Sequence, residues 1–413
     1  MGLEINHGKN NLKIEPAKVV LPLGLGTALS LMGDATLYTV LPTHTEQVGI
    51  SLAAVGIILS ANRFIRLFIN KPTGIAYDQS LRRRLFVPAL MIGALSTAIY
   101  AGTQGFWPLL AGRLLWGIAW SGIWIGGATI IMDISNDDNR GRWTGLYQTW
   151  FYLGTTMGAL IGGYLTDILG FSITMWLGAG LTAFGAVIVF FTLPETKLQK
   201  EQINKNNNQN LDDDWQPSFD FYTVMAINGI NRFVTAGVIA ATLALLVNNL
   251  LPKTNFVIGV ASLTGLLAGF RTLLSMFSAP LSGIISDKNG SRWGVVIGAL
   301  VLGAVGMLLL ISFHPFAFIT GICLSAIASG SLQSLMTART GDIVGRAHQG
   351  RAIGNLQTAG DLGSALGPVT AYILLGWLTL NGLYVICAIL FGIGLIFAGL
   401  NHRKRGYKEQ VAR

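Results

Sequence analysis

Long apolar segments separated by short polar turns recur along almost the whole chain. A helix needs about 20 mainly apolar residues to cross the hydrocarbon of a bilayer, so each such segment is a candidate transmembrane helix. This rule predicts twelve spans, at residues 18–41, 51–77, 85–103, 107–132, 143–166, 171–193, 220–246, 255–286, 293–313, 315–339, 352–376 and 381–401. The first span is too long for a signal peptide, and no cleavage pattern precedes it. The pattern predicts an all-α membrane protein.

The positions of lysine and arginine predict how these helices are oriented. Basic residues gather in the amino-terminal tail, in the loops after the even-numbered spans and in the carboxy-terminal tail. The opposite side carries only Lys253 in its short loops. Because basic loops stay inside, we expect both termini in the cytoplasm, with the chain crossing the bacterial inner (plasma) membrane several times. An even number of spans is then required, and twelve satisfies this.

One polar segment divides the chain. Residues 195–219 are rich in asparagine and low in complexity, a composition that cannot bury a core. We therefore predict a cytoplasmic linker at 195–219 between a six-helix bundle at 1–194 and a second six-helix bundle at 220–413.

The two halves repeat each other. Residues 133–158 align with 342–367 at a constant spacing of 209 positions, with matching polar and glycine residues. A parallel duplication of a six-helix unit predicts two pseudo-symmetric bundles. The substrate path would lie between them near the membrane midplane, and the halves would rock to give alternating access.

Composition narrows the possible functions. The chain is 52% hydrophobic, only 11% charged and contains 52 glycines, which fits packed helices that face lipid. The net charge of +9 comes from basic residues dispersed between apolar segments, so we assign it to membrane orientation and expect no nucleic-acid partner. Cys323 and Cys387 both lie within apolar segments, and a disulfide framework is not expected.

Other functional classes lack their required residues. An ATP-driven pump would need a Gly-x-x-x-x-Gly-Lys-Ser/Thr loop, which does not occur. The five histidines all fall in tails or short loops, so we expect no metal site, no cofactor and no enzyme activity: His7, His44, His314, His348 and His402.

A charged loop motif occurs once in each half. Residues 74–84 (GIAYDQSLRRR) resemble the loop signature Gly-x-x-x-Asp-Arg-x-Gly-Arg-Arg of the major facilitator superfamily, with departures at Gln79 and Leu81. Residues 283–292 (GIISDKNGSR) are the second copy. The resemblance implies a conformational latch made of Gly74, Asp78, Arg82, Arg83, Gly283, Asp287 and Arg292. The alternative is that these arginines only hold the loop inside.

Two more motifs resemble the drug/proton antiporter branch of this superfamily. Arg113, within LLAGRLLWG, is similar to the fourth-helix motif, and the resemblance implies a role in proton coupling. Residues 154–163 (GTTMGALIGG) are similar to the antiporter signature of helix five, with Ala159 in place of its proline. The implied helix-crossing positions are Gly154, Gly158, Gly162, Gly163, Gly363, Gly367 and Pro368. Plain helix packing is the alternative.

Acidic residues within spans are candidates for function because ionisable groups are costly there. An apolar environment favours a protonated carboxyl and a nearby arginine favours the carboxylate, so a contact that breaks during rocking can couple transport to protons. Asp34 is the first candidate, and Asp361, which occupies the place of Tyr152 in the other half, is the second candidate for protons or substrate. Alternatively, Asp34 forms a permanent salt bridge with Arg63 or Arg113.

The intramembrane arginines predict the character of the cavity. Five arginines against two aspartates make it electropositive if all face inward, which favours carboxylates or other anions. The candidate cavity residues are Arg63, Arg66, Gln148, Asn228, Asn231, Arg232, Arg271 and Gln357. Trp116, Trp120 and Trp124 share one face of helix four. Three interpretations of this face remain open: it lines the cavity, it packs against other helices, or it faces lipid.

These observations predict a proton-coupled secondary transporter that exports small organic compounds, including carboxylated or siderophore-like metabolites or drugs. The alternative is a proton symporter that takes up a small anionic solute. Its expected partners are a small-molecule substrate, protons and the lipid bilayer, and we expect a monomer.

Overall fold

The computed structural model describes residues 15–135, 140–196, 217–250, 259–289, 291–312, 314–344 and 349–411. Within these ranges the chain forms twelve helices, one at each predicted span, and no strand. They are α1 Pro16–Val40, α2 Leu52–Gln79, α3 Arg82–Gly102, α4 Phe106–Ile134, α5 Arg140–Leu169, α6 Phe171–Thr192, α7 from Phe219 to Leu250, α8 Val260–Lys288, α9 Arg292–Leu309, α10 Pro315–Ile343, α11 Gln349–Leu374 and α12 Leu380–Val411.

Local sequence signals set several helix boundaries. Pro16 occupies the first turn of α1, where its missing N–H leaves no donor unpaired. The hydroxyl groups of Ser51, Ser218 and Ser291 accept hydrogen bonds from backbone N–H groups in the first turns of α2, α7 and α9. α7 contains a π-helical stretch, Phe233–Ile239, in its middle. Such stretches often mark functional sites.

Ten helices in the described residues are long and apolar enough to cross a membrane by length and composition. The other two, α5 and α11, carry the repeated segment with its polar residues, which lowers their mean hydropathy. These two helices occupy equivalent places in the two halves.

The halves repeat each other in packing as well as in sequence. α1 packs on α5, α2 on α4, and α3 on both α4 and α6. The equivalent contacts α7–α11, α8–α10, α9–α10 and α9–α12 build the second half. α2–α11 and α5–α8 are the main contacts between the halves. The twelve helices therefore form two six-helix bundles joined along a seam of four helices.

The two halves pack together at one end of the seam. The inner end is the end at which α1 begins and α12 ends, and the outer end lies opposite. Four hydrophobic clusters form among the described residues, and the one drawn from both halves lies at the outer end, where Leu37 and Val40 meet Ala241 and Tyr372.

Glycines with open space around them lie near the inner end of the seam helices. Each of the four seam helices has a glycine near this end: Gly74, Gly145, Gly283 and Gly354. A Cβ atom added at any of them would meet no described atom within 4 Å. These four positions therefore have open space around them among the described residues, at the end that is predicted to be cytoplasmic.

Candidate functional site

An ion pair lies inside the first half, between α1 and α4. Arg113 Nη1 lies 2.5 Å from Asp34 Oδ1, the Arg113 side chain is 0% exposed and the Asp34 side chain is 15% exposed. Arg113 Nε also donates to the Ile58 carbonyl at 3.4 Å, while its Nη2 is buried with no partner among the described residues. Of the two salt-bridge partners considered for Asp34, the structure selects Arg113. The two proton-coupling candidates of the first half are thus in direct contact.

An aromatic ring links this pair to the seam. Tyr38, one helical turn after Asp34, has the guanidinium of Arg113 at 4.8 Å and that of Arg63 at 5.0 Å from its ring centroid. Its hydroxyl donates to the Leu59 carbonyl at 2.9 Å. Cation–π contacts of this kind stabilise arginine away from water. Sequence reasoning missed Tyr38, although its position four residues after Asp34 places both on one helix face.

Two arginines of α2 reach across the seam to α11. Arg66 Nη2 lies 3.0 Å from Asp361 Oδ1, and each side chain is 13% exposed. Arg63 Nη1 donates to the Ser364 carbonyl at 2.6 Å. The second acidic candidate therefore pairs with the opposite half, whereas Asp34 pairs within its own half.

The remaining cavity candidates differ in what they contact. Asn228 and Asn231 donate to the backbone carbonyls of Leu356 and Ser329 at 2.8 and 3.2 Å, and Arg271 Nη2 donates to the Thr235 carbonyl at 2.7 Å. These three side chains tie helices of the second half together. The exposed candidates are Gln148 on α5 and Gln357 on α11, and Arg232 on α7 is partly exposed.

The latch arginines bind within their own halves. Arg82 Nε donates to Asp133 Oδ2 at 2.8 Å on α4. Arg292 pairs with Asp287 at 3.1 Å and with Asp342 on α10. Sequence reasoning did not assign Asp133 and Asp342 to this cluster, although their equivalent positions in the two repeats were a signal.

Fewer contacts are described for the remaining latch candidates. Arg83 Nη1 donates to the Leu193 carbonyl at 3.4 Å, also within the first half. Gly74 and Gly283 lie near the inner end, with open space around them among the described residues. The side chain of Asp78 is outside the described residues.

The start of the predicted linker is packed on the first bundle. Glu195 accepts hydrogen bonds from the backbone N–H groups of Arg82 and Arg83, at 2.9 and 3.1 Å, and so caps α3. Thr196 donates to Asp133 at 3.2 Å. The packed part of the first half thus extends to residue 196, whereas 197–216 lie outside the described residues.

The predicted crossing glycines lie at helix contacts. In the first half Gly154, Gly158 and Gly162 face α1, where an added Cβ would overlap Ala28, Met32 and Thr36 respectively. In the second half an added Cβ at Gly363 would overlap Gly229, and Gly367 and Pro368 pack on Gly237 of α7. Gly163 differs because its Cβ would meet Ala261 of α8, across the seam.

The tryptophan stripe of α4 belongs mostly to the core of the first half. Trp116 and Trp120 are 1% and 8% exposed, and their rings stack at 6.3 Å. Trp124 is partly buried and contacts Tyr147 and Phe151 of α5. Packing is therefore the main role of the stripe. The described residues contain no group of three or more His, Cys, Asp or Glu side chains that could hold a metal ion.

Comparison with known proteins agrees with this architecture. The sequence model of the Major Facilitator Superfamily matches residues 23–260 and 221–412. The tetracycline resistance protein, class B, of Escherichia coli is 26% identical over 402 residues, which cover 94% of this chain and 97% of that protein. The multidrug resistance protein MdtG of Dickeya zeae is 24% identical, covering 90% of this chain and 91% of that protein.

Among solved structures, a bacterial homologue of the human lysosomal transporter Spinster, in an inward-facing and occupied conformation, superimposes with a TM-score of 0.75. Its sequence is 16% identical, and the match covers 93% of this chain and 96% of that one. At this identity the likeness concerns the fold.

Proposed function

The chain belongs to the major facilitator superfamily, and from that membership we propose that this transporter exports small organic compounds in exchange for protons. Full-length similarity to proteins named for tetracycline and multidrug resistance supports export. We further propose a monomer in the bacterial inner membrane with both termini in the cytoplasm.

The observation that carries proton coupling is the Asp34–Arg113 pair. Arg113 is fully buried, and Asp34 is the only carboxylate that pairs with it among the described residues. While the pair is closed, the guanidinium favours the ionised carboxylate. If rocking lengthens the contact, the apolar surroundings favour the protonated form. A partly exposed carboxyl group in this position can therefore take up a proton in one state and release it in the other.

The test is proton-gradient-driven transport in proteoliposomes by Asp34→Asn. A cationic, a zwitterionic and an anionic probe (ethidium, tetracycline and benzoate) are first tried with the unaltered protein. Asn keeps the size of the side chain but cannot exchange a proton, so we expect gradient-driven transport of the chosen probe to be lost. Asp34→Glu should retain part of it.

Glu46→Gln is the matched control, because it removes a carboxylate that is exposed in the α1–α2 loop, outside the spanning helices. It should transport normally. Full gradient-driven transport by Asp34→Asn would exclude Asp34 as the proton carrier, and Asp361→Asn would then be the variant to measure.

Uptake of a small anionic solute with protons is the second candidate function. It is favoured by the excess of arginine at the seam, where Arg66 pairs with Asp361 and Arg232 also interacts with it electrostatically. The two functions differ in the sign of exchange. In vesicles with an acidic interior, protons flow outward, so an antiporter accumulates the probe inside the vesicles. A symporter accumulates the probe only when the exterior is acidic.

A further inference from the structure

Arg232 on α7 is an arginine of the membrane interior without a bonding partner. In the described part of the chain its guanidinium forms no hydrogen bond and no ion pair, although Asp361, Arg66 and Tyr152 all act on it electrostatically. The side chain is partly exposed. A cation in the membrane interior that lacks a direct ion pair is costly, so a bound anion beside it would be favoured.

Gly360 of α11 lies directly beside the side chain of Arg232. A Cβ atom added at Gly360 would lie 3.3 Å from Arg232 Cγ and 3.6 Å from Arg232 Nε. It would also lie 2.9 Å from Asn228 Nδ2. Arg232 therefore packs its stem directly against α11, one residue before Asp361. A side chain at position 360 would displace it.

The neighbouring ion pair is incomplete. Arg66 donates from Nη2 to a single oxygen of Asp361, while its Nε is buried with no partner among the described residues. A guanidinium can hold a carboxylate through two parallel hydrogen bonds, which is the stronger arrangement. Together, Arg63, Arg66 and Arg232 provide three positive charges against the one negative charge of Asp361. Two further negative charges would balance this set.

We propose that Arg66 and Arg232 form a subsite for the carboxylate group of an organic anion. When no substrate is bound, Asp361 pairs with Arg66 and so competes with the substrate carboxylate for it. This inference rests on the proposed transport function and names the class of its cargo. A substrate carboxylate binds Arg232 and takes over Arg66, which frees Asp361. Since Arg66 and Asp361 belong to opposite halves, binding removes a bond that joins them across the seam.

The test is equilibrium binding to the purified protein by isothermal titration calorimetry. The probes are benzoate and hexanoate, each compared with its uncharged amide, benzamide and hexanamide. The unaltered protein should bind the carboxylates more tightly than the amides. Arg232→Gln should weaken carboxylate binding by about tenfold or more, the scale of one charge-assisted hydrogen bond, and leave amide binding unchanged. Asp361→Asn should strengthen carboxylate binding by about tenfold.

Lys71→Gln is the matched control. It removes the same charge from an exposed position on α2, the helix of Arg66, and should leave binding unchanged. If Arg232→Gln does not give folded protein, Arg232→Lys replaces it. That variant keeps the charge but loses the planar fork, so it should bind carboxylates with intermediate affinity.

Four results would overturn the inference, and the first three concern relative affinities. They are equal binding of carboxylates and amides, unchanged carboxylate binding by Arg232→Gln, and a loss of carboxylate binding by Asp361→Asn. Absence of carboxylate binding to both the unaltered protein and Asp361→Asn would have the same meaning. Because binding is measured without a gradient, its failure is distinct from a failure of proton coupling in proteoliposomes.

Discussion

The outer end of the seam should open when a side chain is added at Gly265 on α8. A Cβ atom there would overlap the Ala159 carbonyl oxygen of α5 and lie 3.0 Å from its carbon and 3.4 Å from Gly163 Cα. All three atoms are backbone atoms of the opposite half, so no side-chain rotation can relieve the overlap. Separation of α5 and α8 at the outer end would relieve it.

The expected size of the effect follows from the cost of overpacking. Forcing extra atoms into a closely packed contact costs about 1–3 kcal/mol. In the state that is closed at the outer end, Gly265→Val carries this cost, and in the state that is open there it does not. The ratio of outward-open to inward-open molecules should therefore rise by about 5- to 150-fold. Gly265→Ala should act in the same direction with a smaller effect.

Pulsed electron paramagnetic resonance can measure this shift. Spin labels at Glu46 and Trp377 lie on exposed residues at the outer end of opposite halves, after replacement of Cys323 and Cys387 by alanine. Gly265→Val should move the distance distribution to longer values. Gly180→Val is the matched control, because an added Cβ on that face of α6 meets no described atom within 4 Å. An unchanged distribution in a folded Gly265→Val protein would refute the reasoning.

The remaining predictions concern stability and orientation. Arg82→Gln should lower the melting temperature of the purified protein because it removes the buried ion pair with Asp133. Adding Asp133→Asn should cost less than the sum of the two single changes, and strict additivity would argue against the pair. Shortening the linker by residues 201–212 should leave the melting temperature nearly unchanged, whereas a lower one would indicate that this segment docks on the bundles. A cysteine introduced at Asn206 should be labelled only from the cytoplasm and one at Asn249 only from outside; labelling from the same side would refute the orientation.

The sequence predicts the fold in more detail than it predicts the site. The twelve helices follow from segment length against bilayer thickness, which is a property of each segment alone. α5 and α11 were included although they are less apolar than the other ten. Their polar residues are tolerated because these helices border the seam and are only partly exposed to lipid.

For the site, the sequence identified the charged residues but not their partners. Asp34 had two candidate arginines, Arg63 and Arg113, at similar depth in neighbouring helices. The choice depends on how α1, α2 and α4 cross, and crossing angles come from packing of whole helix surfaces. The role of Tyr38 could not be predicted from the sequence, because it depends on the position of its ring between two arginines from different helices.

The sequence by itself determined the number of helices, the two-fold repeat and the small set of charges placed in the membrane, because each depends on local composition or on identities at a constant spacing. Only the tertiary structure decided that Arg66 meets Asp361 across the seam, that Arg232 has no bonding partner among the described residues and that the halves pack together at the outer end. These features are relations between helices far apart in the chain. Their free energies depend on the packing of the two bundles, which no single segment encodes.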